Sequence, residues 1–323
     1  MKKAQKILIA GFGNIGKRVA DILGNSRRYQ VMALVRKNNV SLRGPAPAGL
    51  PRVTMIRGDL RNIRALANIH TLAKLPGTAD TILHFAPPPG AGASDWHTRN
   101  LLAALEKRKF PLQRTRRATM LPRRIVYIST TGVYGDCHGE VIDETRSVRP
   151  ESARARRRVS AERQLFKWGR SHGVAITVLR APGIYAADRL PLERIKRRTP
   201  VLNAKDDVFT NHIHADDLAR AVFQAMNQQR PKPFRIFNVV DDSQLRMGDY
   251  FDLVADTFGL SRPPRVSRTE AERLIAPMML SFMSESRRIG NARLKRELKF
   301  QLKYPTLQSA LADLRPESSL VSV

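Results

Sequence analysis

The sequence predicts an α/β protein with a doubly wound parallel sheet and a smaller, mainly helical C-terminal lobe. A first observation is that an apolar strand, a glycine-rich turn and an amphipathic helix follow one another over residues 6–23. A second is that strand and helix patterns then alternate, as in parallel sheets with helices on both faces. We expect residues 1–180 to form the sheet domain, with residues 205–242 returning to it. Residues 181–204 and 243–323 then form the smaller lobe.

Composition limits the class of protein. The chain has 323 residues, which is enough for a large α/β domain or for a domain with a smaller lobe. Its single cysteine, Cys137, excludes a disulfide framework and a cysteine-based zinc site, and is typical of a reducing cytoplasm. No apolar run approaches the ~20 residues that a membrane helix needs. We therefore expect a cytoplasmic protein without membrane association.

The charge of the chain is strongly positive, with 57 Lys and Arg against 28 Asp and Glu, a formal net charge of +29. The cations cluster in residues 107–124, 154–158 and 194–198. Such an excess favours anionic partners, although solvated surface is the simpler interpretation. Single-strand binding surfaces interleave aromatic residues with cations, and residues 107–124 contain only Phe110. We therefore expect a small-molecule substrate rather than nucleic acid, and the role of this segment stays open.

The glycine-rich turn has the spacing of a dinucleotide-binding site. Gly11, Gly13 and Gly16 fill its three glycine positions, and Asn14 and Ile15 lie between the last two. The first glycine permits the sharp turn, the second lets backbone approach a pyrophosphate, and the third lets the helix pack on the strand. The unpaired N–H groups of the new helix then favour phosphate. We predict that this turn binds a dinucleotide.

The end of the second strand indicates which dinucleotide. We predict this strand at residues 30–35, and Arg36 and Lys37 follow it. Enzymes that prefer NAD place a carboxylate here for the adenosine ribose. A guanidinium instead grips a 2′-phosphate with two parallel hydrogen bonds. Arg36 therefore favours NADP, with NAD as the alternative.

Two further strand ends complete the predicted cofactor site. The third strand, at residues 52–57, is followed by Gly58, Asp59 and Leu60, and we expect the adenine near Asp59 and Leu60. The fourth strand ends in Phe85 and Ala86, followed by three prolines that cannot continue a central strand. These residues are expected to wall the site beside the cofactor.

Five segments, in order, carry a resemblance to a known family. Residues 125–135 read Ile-Val-Tyr-Ile-Ser-Thr-Thr-Gly-Val-Tyr-Gly, and residues 178–185, 211–219, 236–239 and 288–298 continue the match over most of the chain. The chain resembles the extended short-chain dehydrogenase/reductase family, the NAD(P)-dependent epimerases and dehydratases of nucleotide sugars. Its glycine pattern is closer to atypical members. The resemblance implies a Rossmann-type fold and an NAD(P) cofactor, and it leaves a homodimer open.

The resemblance fails at the catalytic residues. The family's substrate-holding Ser or Thr corresponds to Thr130, but its Tyr-x-x-x-Lys pair corresponds to Arg154 and Arg158. Arginine does not give up a proton at any working pH, so the usual acid is missing. Arg158 can still bind the ribose or pyrophosphate, and Tyr134 is the favoured substitute acid. Two hypotheses stay open. The first is an NADP-preferring oxidoreductase or epimerase with a non-standard site, and the second is a non-catalytic NADP(H)-binding redox sensor or regulatory protein.

A metal site is not expected. His212, His214, Asp216 and Asp217 form a dense group of potential metal ligands. Their spacing fits a helix start better, because carboxylates in a first turn interact favourably with the helix dipole.

Overall fold

The computed structural model describes residues 4–36, 53–62, 79–106 and 121–314. The sequence also predicts a loop at residues 38–51 and a helix at residues 61–75. Both segments, the basic segment at residues 107–124 and Lys37 lie wholly or largely outside the described ranges.

The strands and helices of the described residues are numbered here in chain order. The strands are β1 (Gln5–Ala10), β2 (Tyr29–Val35), β3 (Val53–Arg57), β4 (Thr81–His84), β5 (Arg124–Thr130), β6 (Val141–Ile142), β7 (Ala175–Ala181), β8 (Gly183–Tyr185), β9 (Val201–Leu202), β10 (Phe209–Thr210), β11 (His212–His214), β12 (Phe234–Asn238), β13 (Leu245–Arg246), β14 (Arg265–Val266) and β15 (Arg288–Ile289). The helices are α1 (Asn14–Gly24), α2 (Trp96–Glu106), α3 (Ala153–His172), α4 (Leu192–Lys196), α5 (Ala215–Asn227), α6 (Met247–Thr257), α7 (Arg268–Leu274), α8 (Pro277–Leu280), α9 (Ala292–Leu298) and α10 (Leu307–Ala312). No helix among the described residues is long and apolar enough to cross a membrane.

A seven-stranded sheet in the order β12-β7-β5-β4-β1-β2-β3 confirms the predicted fold class. The strand pairs from β3 through β2, β1 and β4 to β5 are all parallel. The central strand β1 is fully buried from Ile7 to Ala10, as expected for a parallel strand covered on both faces. Strand order reverses between β1 and β4, and ligands of such sheets bind where this reversal occurs, at the carboxyl ends of the strands.

The chain divides into two compact units. The first consists of the described residues of Met1–Thr130, Ala153–Arg180 and Ala219–Phe237, and the second of those of Thr131–Ser152, Ala181–Leu218 and Asn238–Val323. The sequence-based division assigns residues 205–218 and 238–242 to the sheet domain, whereas here they belong to the second unit. The same difference holds for residues 131–152. They group with the second unit because β6 within them pairs with β15 near the C-terminus.

The second unit is less purely helical than predicted. It contains four two-stranded sheets, of which β8–β11, β9–β14 and β6–β15 are parallel and β10–β13 is antiparallel. Its core packs the apolar faces of α4, α6 and α10 together, with Ile195, Phe251, Val254 and Leu307 among the buried side chains.

Candidate functional site

The three glycines of the turn differ in the space around them. Gly11 has a φ of +107°, and a Cβ there would lie 2.4 Å from the backbone nitrogen of Ala86. A Cβ on Gly16 would lie 2.7 Å from the carbonyl oxygen of Gly11. A Cβ on Gly13 would meet no atom of the described residues within 4 Å. Gly11 and Gly16 are therefore required by the fold, whereas Gly13 keeps space open in front of the helix.

That space lies at the N-terminus of α1. Gly13 is the N-cap residue and no side chain caps this helix end. The nearby side chain of Asn14 accepts a hydrogen bond from Arg18 Nε at 3.1 Å. Ile15 is buried. A bare helix start facing open space is suited to phosphate, because its first N–H groups have no partner within the helix. The turn therefore fits the pyrophosphate that the sequence predicts here.

The end of β4 lies directly against the turn. The N–H groups of Phe85 and Ala86 both donate to the carbonyl oxygen of Ala10, each at 2.8 Å. This double contact holds the chain after β4 beside Gly11, and explains why Gly11 has no room for a side chain. The structure thus brings Phe85 and Ala86 together with the turn of residues 11–16.

The ends of β2 and β3 also lie close together. Arg36 is exposed directly after β2, and its charge helps to lower the pKa of Asp59. The larger cause is Arg61, whose Nε and backbone N–H donate to the Asp59 carboxylate at 2.8 and 2.9 Å. Leu60 is buried, and its carbonyl oxygen accepts a hydrogen bond from Asn100 Nδ2 at 2.7 Å. The guanidinium of Arg36 faces solvent beside a carboxylate that is already paired.

The arginine run at the start of α3 divides into exposed and buried members. Arg154 and Arg156 are exposed. Arg157 is buried, and its Nη1 donates to the carbonyl oxygen of Gly92 at 2.8 Å, which anchors the loop after β4. Arg158 is half-buried and reaches the sheet. One turn of helix therefore contains arginines with different environments, which spacing alone did not indicate.

Arg158 is held at β5 by two hydrogen bonds. Its Nη1 donates to Tyr127 Oη at 3.0 Å and to the carbonyl oxygen of Ile128 at 2.9 Å. The guanidinium carbon lies 5.6 Å from the centroid of the Tyr127 ring. Burial raises the pKa of Tyr127 to about 12, although the Arg158 charge opposes that rise, so the phenol is neutral.

Beside Tyr127 lies a buried network on β4, on α2 and on the residue just before α2. His84 Nε2 is 2.8 Å from Thr98 Oγ1, and that hydroxyl donates to Asp95 Oδ2 at 3.0 Å. Burial lowers the pKa of His84 to about 4, so its imidazole is neutral. The ring lies 5.1 Å from the ring of Tyr127. Sequence reasoning did not find this network, since only the fold brings the three side chains together.

The two predicted catalytic residues have different surroundings. Thr130 is the last residue of β5 and is half-buried. Tyr134 ends a short 3-10 helix in the second unit and is buried, and its hydroxyl donates to Asn238 Oδ1 at 2.7 Å.

A buried ion pair joins the middle of α3 to β7. Glu162 pairs with Arg180 Nη2 at 2.7 Å and accepts a hydrogen bond from Ser129 Oγ at 2.6 Å. Both charged side chains are at least nine-tenths buried. No local sequence pattern indicates this pair, because Glu162 and Arg180 are 18 residues apart and meet only in the folded chain.

The histidines near residue 212 support a packed core. His212 stacks on Tyr250 with ring centroids 4.1 Å apart, and burial lowers its pKa to about 3. Helix α5 begins at Ala215, so Asp216 and Asp217 lie in its first turn. Within the described ranges, no group of three or more His, Cys, Asp or Glu side chains is placed to hold a metal ion.

Comparison with known sequences gives a family match. The sequence profile of the NAD dependent epimerase/dehydratase family matches residues 7–239. A curated relative is the trifunctional UDP-glucose 4,6-dehydratase/UDP-4-keto-6-deoxy-D-glucose 3,5-epimerase/UDP-4-keto-L-rhamnose-reductase of Arabidopsis thaliana, 21% identical over 288 residues. The match covers 83% of this chain and 42% of that protein, so the chain spans about two fifths of the length of its relative.

Solved structures share the fold along nearly the whole chain. A functionally unknown conserved protein from Silicibacter pomeroyi is 25% identical, with a TM-score of 0.70 and coverage of 96% of this chain and 98% of that one. The UDP-glucuronic acid 4-epimerase of Bacillus cereus, solved with UDP-glucuronic acid and NAD, is 18% identical, with a TM-score of 0.71 and coverage of 95% and 97%. The UDP-glucose 4-epimerase of Thermotoga maritima, solved with UDP-glucose, is 18% identical, with a TM-score of 0.69 and coverage of 96% and 99%.

Proposed function

The chain belongs to the NAD dependent epimerase/dehydratase family, and from this membership we propose that it binds a nicotinamide dinucleotide and acts as an oxidoreductase or epimerase. One observation carries the proposal. Gly13 keeps open space before an uncapped helix, while Gly11 and Gly16 on either side are closed by backbone. A turn that served only the fold would not need glycine at position 13, because the φ of −90° there is open to any residue.

We propose NADP as the preferred form. Arg36 is exposed at the end of β2, where its guanidinium is available to a 2′-phosphate. The carboxylate of Asp59 nearby is paired with Arg61, which reduces its repulsion of a phosphate. The adenine then lies near Asp59 and Leu60. The pyrophosphate lies on the turn of residues 11–16, and Phe85 and Ala86 wall the site.

The chemistry in this proposal is hydride transfer, which a bound nicotinamide ring supplies. Thr130 orients a substrate hydroxyl or carbonyl by hydrogen bonding. Tyr134 is the proposed acid, and its phenol now donates to Asn238 Oδ1. To give its proton to a substrate, Tyr134 must first break this hydrogen bond. An acid role for Tyr134 therefore requires a local rearrangement around Asn238.

A second candidate function is a non-catalytic NADP(H)-binding redox sensor, and the lack of a free catalytic acid favours it. On the resemblance, Arg154 and Arg158 take the positions of the family's Tyr and Lys, and an arginine does not give up a proton to a substrate. Tyr134, the substitute, is engaged with Asn238. We place the enzyme first because the segments that resemble the family's substrate lobe are retained.

The substrate class that we propose is a nucleotide-linked sugar, because two of the relatives are named for their action on UDP-sugars. A cytoplasmic location and a homodimer belong to the same proposal. The single cysteine, Cys137, is buried and unpaired, which suits a reducing compartment.

One experiment separates the two candidates. The purified chain is titrated with NADP⁺ and NAD⁺, and then incubated with the bound cofactor and either UDP-glucose or UDP-glucuronate. The enzyme hypothesis expects reduced nicotinamide or an epimerised sugar, and expects Thr130→Val and Tyr134→Phe to lower turnover without weakening cofactor binding. Saturable cofactor binding without turnover of either probe supports the sensor. Absence of binding to both dinucleotides contradicts the proposal as a whole.

A further inference from the structure

Arg158 carries a half-buried positive charge that no described carboxylate neutralises by an ion pair. Its two hydrogen bonds, to Tyr127 Oη and to the carbonyl oxygen of Ile128, go to neutral oxygens. Two carboxylates nearby, Glu162 and Asp95, are close enough that their charges raise the pKa of Tyr127. Both are engaged elsewhere, since Glu162 binds Arg180 and Asp95 accepts hydrogen bonds from Thr98. A partly desolvated cation without a counter-charge is costly, so the site favours an incoming anion.

The hydrogen bonds of Arg158 also fix which edge of its guanidinium is available. Arginine has five N–H groups, and both hydrogen bonds to β5 come from Nη1. The N–H of Nε and the two N–H groups of Nη2 have no hydrogen-bond partner in the part of the chain that the structure describes. The Nε and Nη2 edge is one of the planar forks that bind two oxygens of a carboxylate or phosphoryl group side by side.

The position of Arg158 connects this fork to the ligand site. Ile128 lies in the last part of β5, two residues before the end of the strand at Thr130. In open parallel sheets the ligand binds outside the carboxyl ends of the strands. A guanidinium anchored there is therefore oriented by the sheet before any ligand arrives, and the ordering cost of a long side chain is already met.

We propose that Arg158 binds a two-oxygen anionic group of the ligand through Nε and Nη2, and that Tyr127 is the positioning residue that holds this fork in place. The inference rests on the proposed function, because the ligand is the dinucleotide or the substrate of that site. Two sources share the chemistry, a phosphoryl group of the dinucleotide and a carboxylate of the substrate. The Tyr127 hydroxyl acts only through Arg158 and touches neither.

The test measures equilibrium binding of four probes, NADPH, NADH, UDP-glucuronate and UDP-glucose, with the sugar nucleotides added to NADPH-saturated protein. We expect Arg158→Ala to weaken the binding of the ligand that carries the anionic group about tenfold, or by about 1.4 kcal/mol. Arg158→Lys keeps the charge without the fork, and we expect it to lie between wild type and Arg158→Ala. Arg163→Ala is the matched control, since Arg163 is an exposed arginine of the same helix.

Tyr127→Phe tests the positioning role. It removes one hydroxyl from a buried ring, and we expect about threefold weaker binding, the usual effect of one neutral hydrogen bond. The double variant Tyr127→Phe/Arg158→Ala should bind no more weakly than Arg158→Ala, because the hydroxyl acts only through the guanidinium. A purely structural role of Tyr127 would instead add its effect to that of Arg158→Ala. Thermal unfolding of each variant shows whether it is folded, and Arg158→Lys keeps the test informative where Arg158→Ala is not.

The probes distinguish the two sources and the two levels of failure. Weakened NADPH and NADH binding assigns the fork to a dinucleotide phosphoryl group. Loss of a wild-type preference for UDP-glucuronate over UDP-glucose assigns it to a substrate carboxylate. If wild type binds its ligands and the Arg158 and Tyr127 variants bind them equally well, this inference alone is overturned. Wild type that binds no probe overturns the proposed function and the inference together.

Discussion

Replacing Gly13 by alanine should separate ligand binding from folding. Gly13 has a φ of −90° and a ψ of −158°, which alanine adopts without strain, and a Cβ there meets no described atom within 4 Å. Alanine is a poorer N-cap than glycine by roughly 0.5–1 kcal/mol. The lower entropy of the unfolded chain returns about 0.4–1 kcal/mol. We therefore expect the free energy of unfolding to change by less than about 1 kcal/mol.

Ligand binding should respond very differently. The new methyl group of Gly13→Ala points into the space that we assign to the pyrophosphate, so we expect dinucleotide affinity to fall at least tenfold, or about 1.4 kcal/mol. Gly16→Ala is the matched contrast, because its Cβ would lie 2.7 Å from the carbonyl oxygen of Gly11. Overpacking of this kind costs about 1–3 kcal/mol, against a gain in helix propensity of at most about 1 kcal/mol.

Urea unfolding and NADPH titration of the two variants check both expectations. Gly13→Ala should unfold like wild type and bind weakly, whereas Gly16→Ala should unfold at lower urea concentration. The reasoning is refuted where Gly13→Ala binds NADPH as tightly as wild type does, or where it loses as much stability as Gly16→Ala.

Three further predictions follow from single side chains. Arg36→Asp should reverse the preference from NADP towards NAD by at least tenfold, since a charge-assisted hydrogen bond is worth about 1.5–3 kcal/mol; an unchanged ratio of the two dissociation constants contradicts the assignment. Arg180→Met should lower the free energy of unfolding by about 3–5 kcal/mol, because it leaves Glu162 buried without its partner; a loss below about 1 kcal/mol in urea unfolding argues against a buried charge. Burial raises the pKa of Asp241 to about 7, so its folded state holds a proton that the unfolded chain has lost. Asp241 therefore makes its full contribution to the free energy of unfolding below about pH 4. This contribution is lost as the pH rises towards 7, by at most about 1.4 kcal/mol per pH unit. Asp241→Asn should remove this dependence of the free energy of unfolding on pH. Equal dependence in the variant and in wild type would contradict the prediction.

The sheet was predictable because its signals are local. The buried run from Ile7 to Ala10 and the glycine spacing after it both depend on residues adjacent in sequence. The small sheets of the second unit were not predicted, because their strands are mostly two residues long and pair over large sequence separations. A two-residue strand has no periodicity from which to infer it.

The candidate site was predictable in its glycines and only partly in its arginines. Arg154 and Arg158 lie four residues apart in one helix, yet the first is exposed and the second is half-buried against β5. The adjacent Arg157 is buried and anchors a loop, which no pattern in a run of arginines indicates. What decides these environments is the position of β5 and of the loop after β4, and both are tertiary features. Tyr127 was overlooked for the same reason, since it reads as a core strand residue.

Direct titration of the wild-type chain with NADPH and NADH tests the central claim, that the turn of residues 11–16 holds a nicotinamide dinucleotide. The fluorescence of the reduced nicotinamide reports binding without any need to know the substrate. We predict saturable binding of both dinucleotides, tighter for NADPH because of Arg36. Absence of saturable binding of either one, in protein shown to be folded by cooperative unfolding, would contradict the claim.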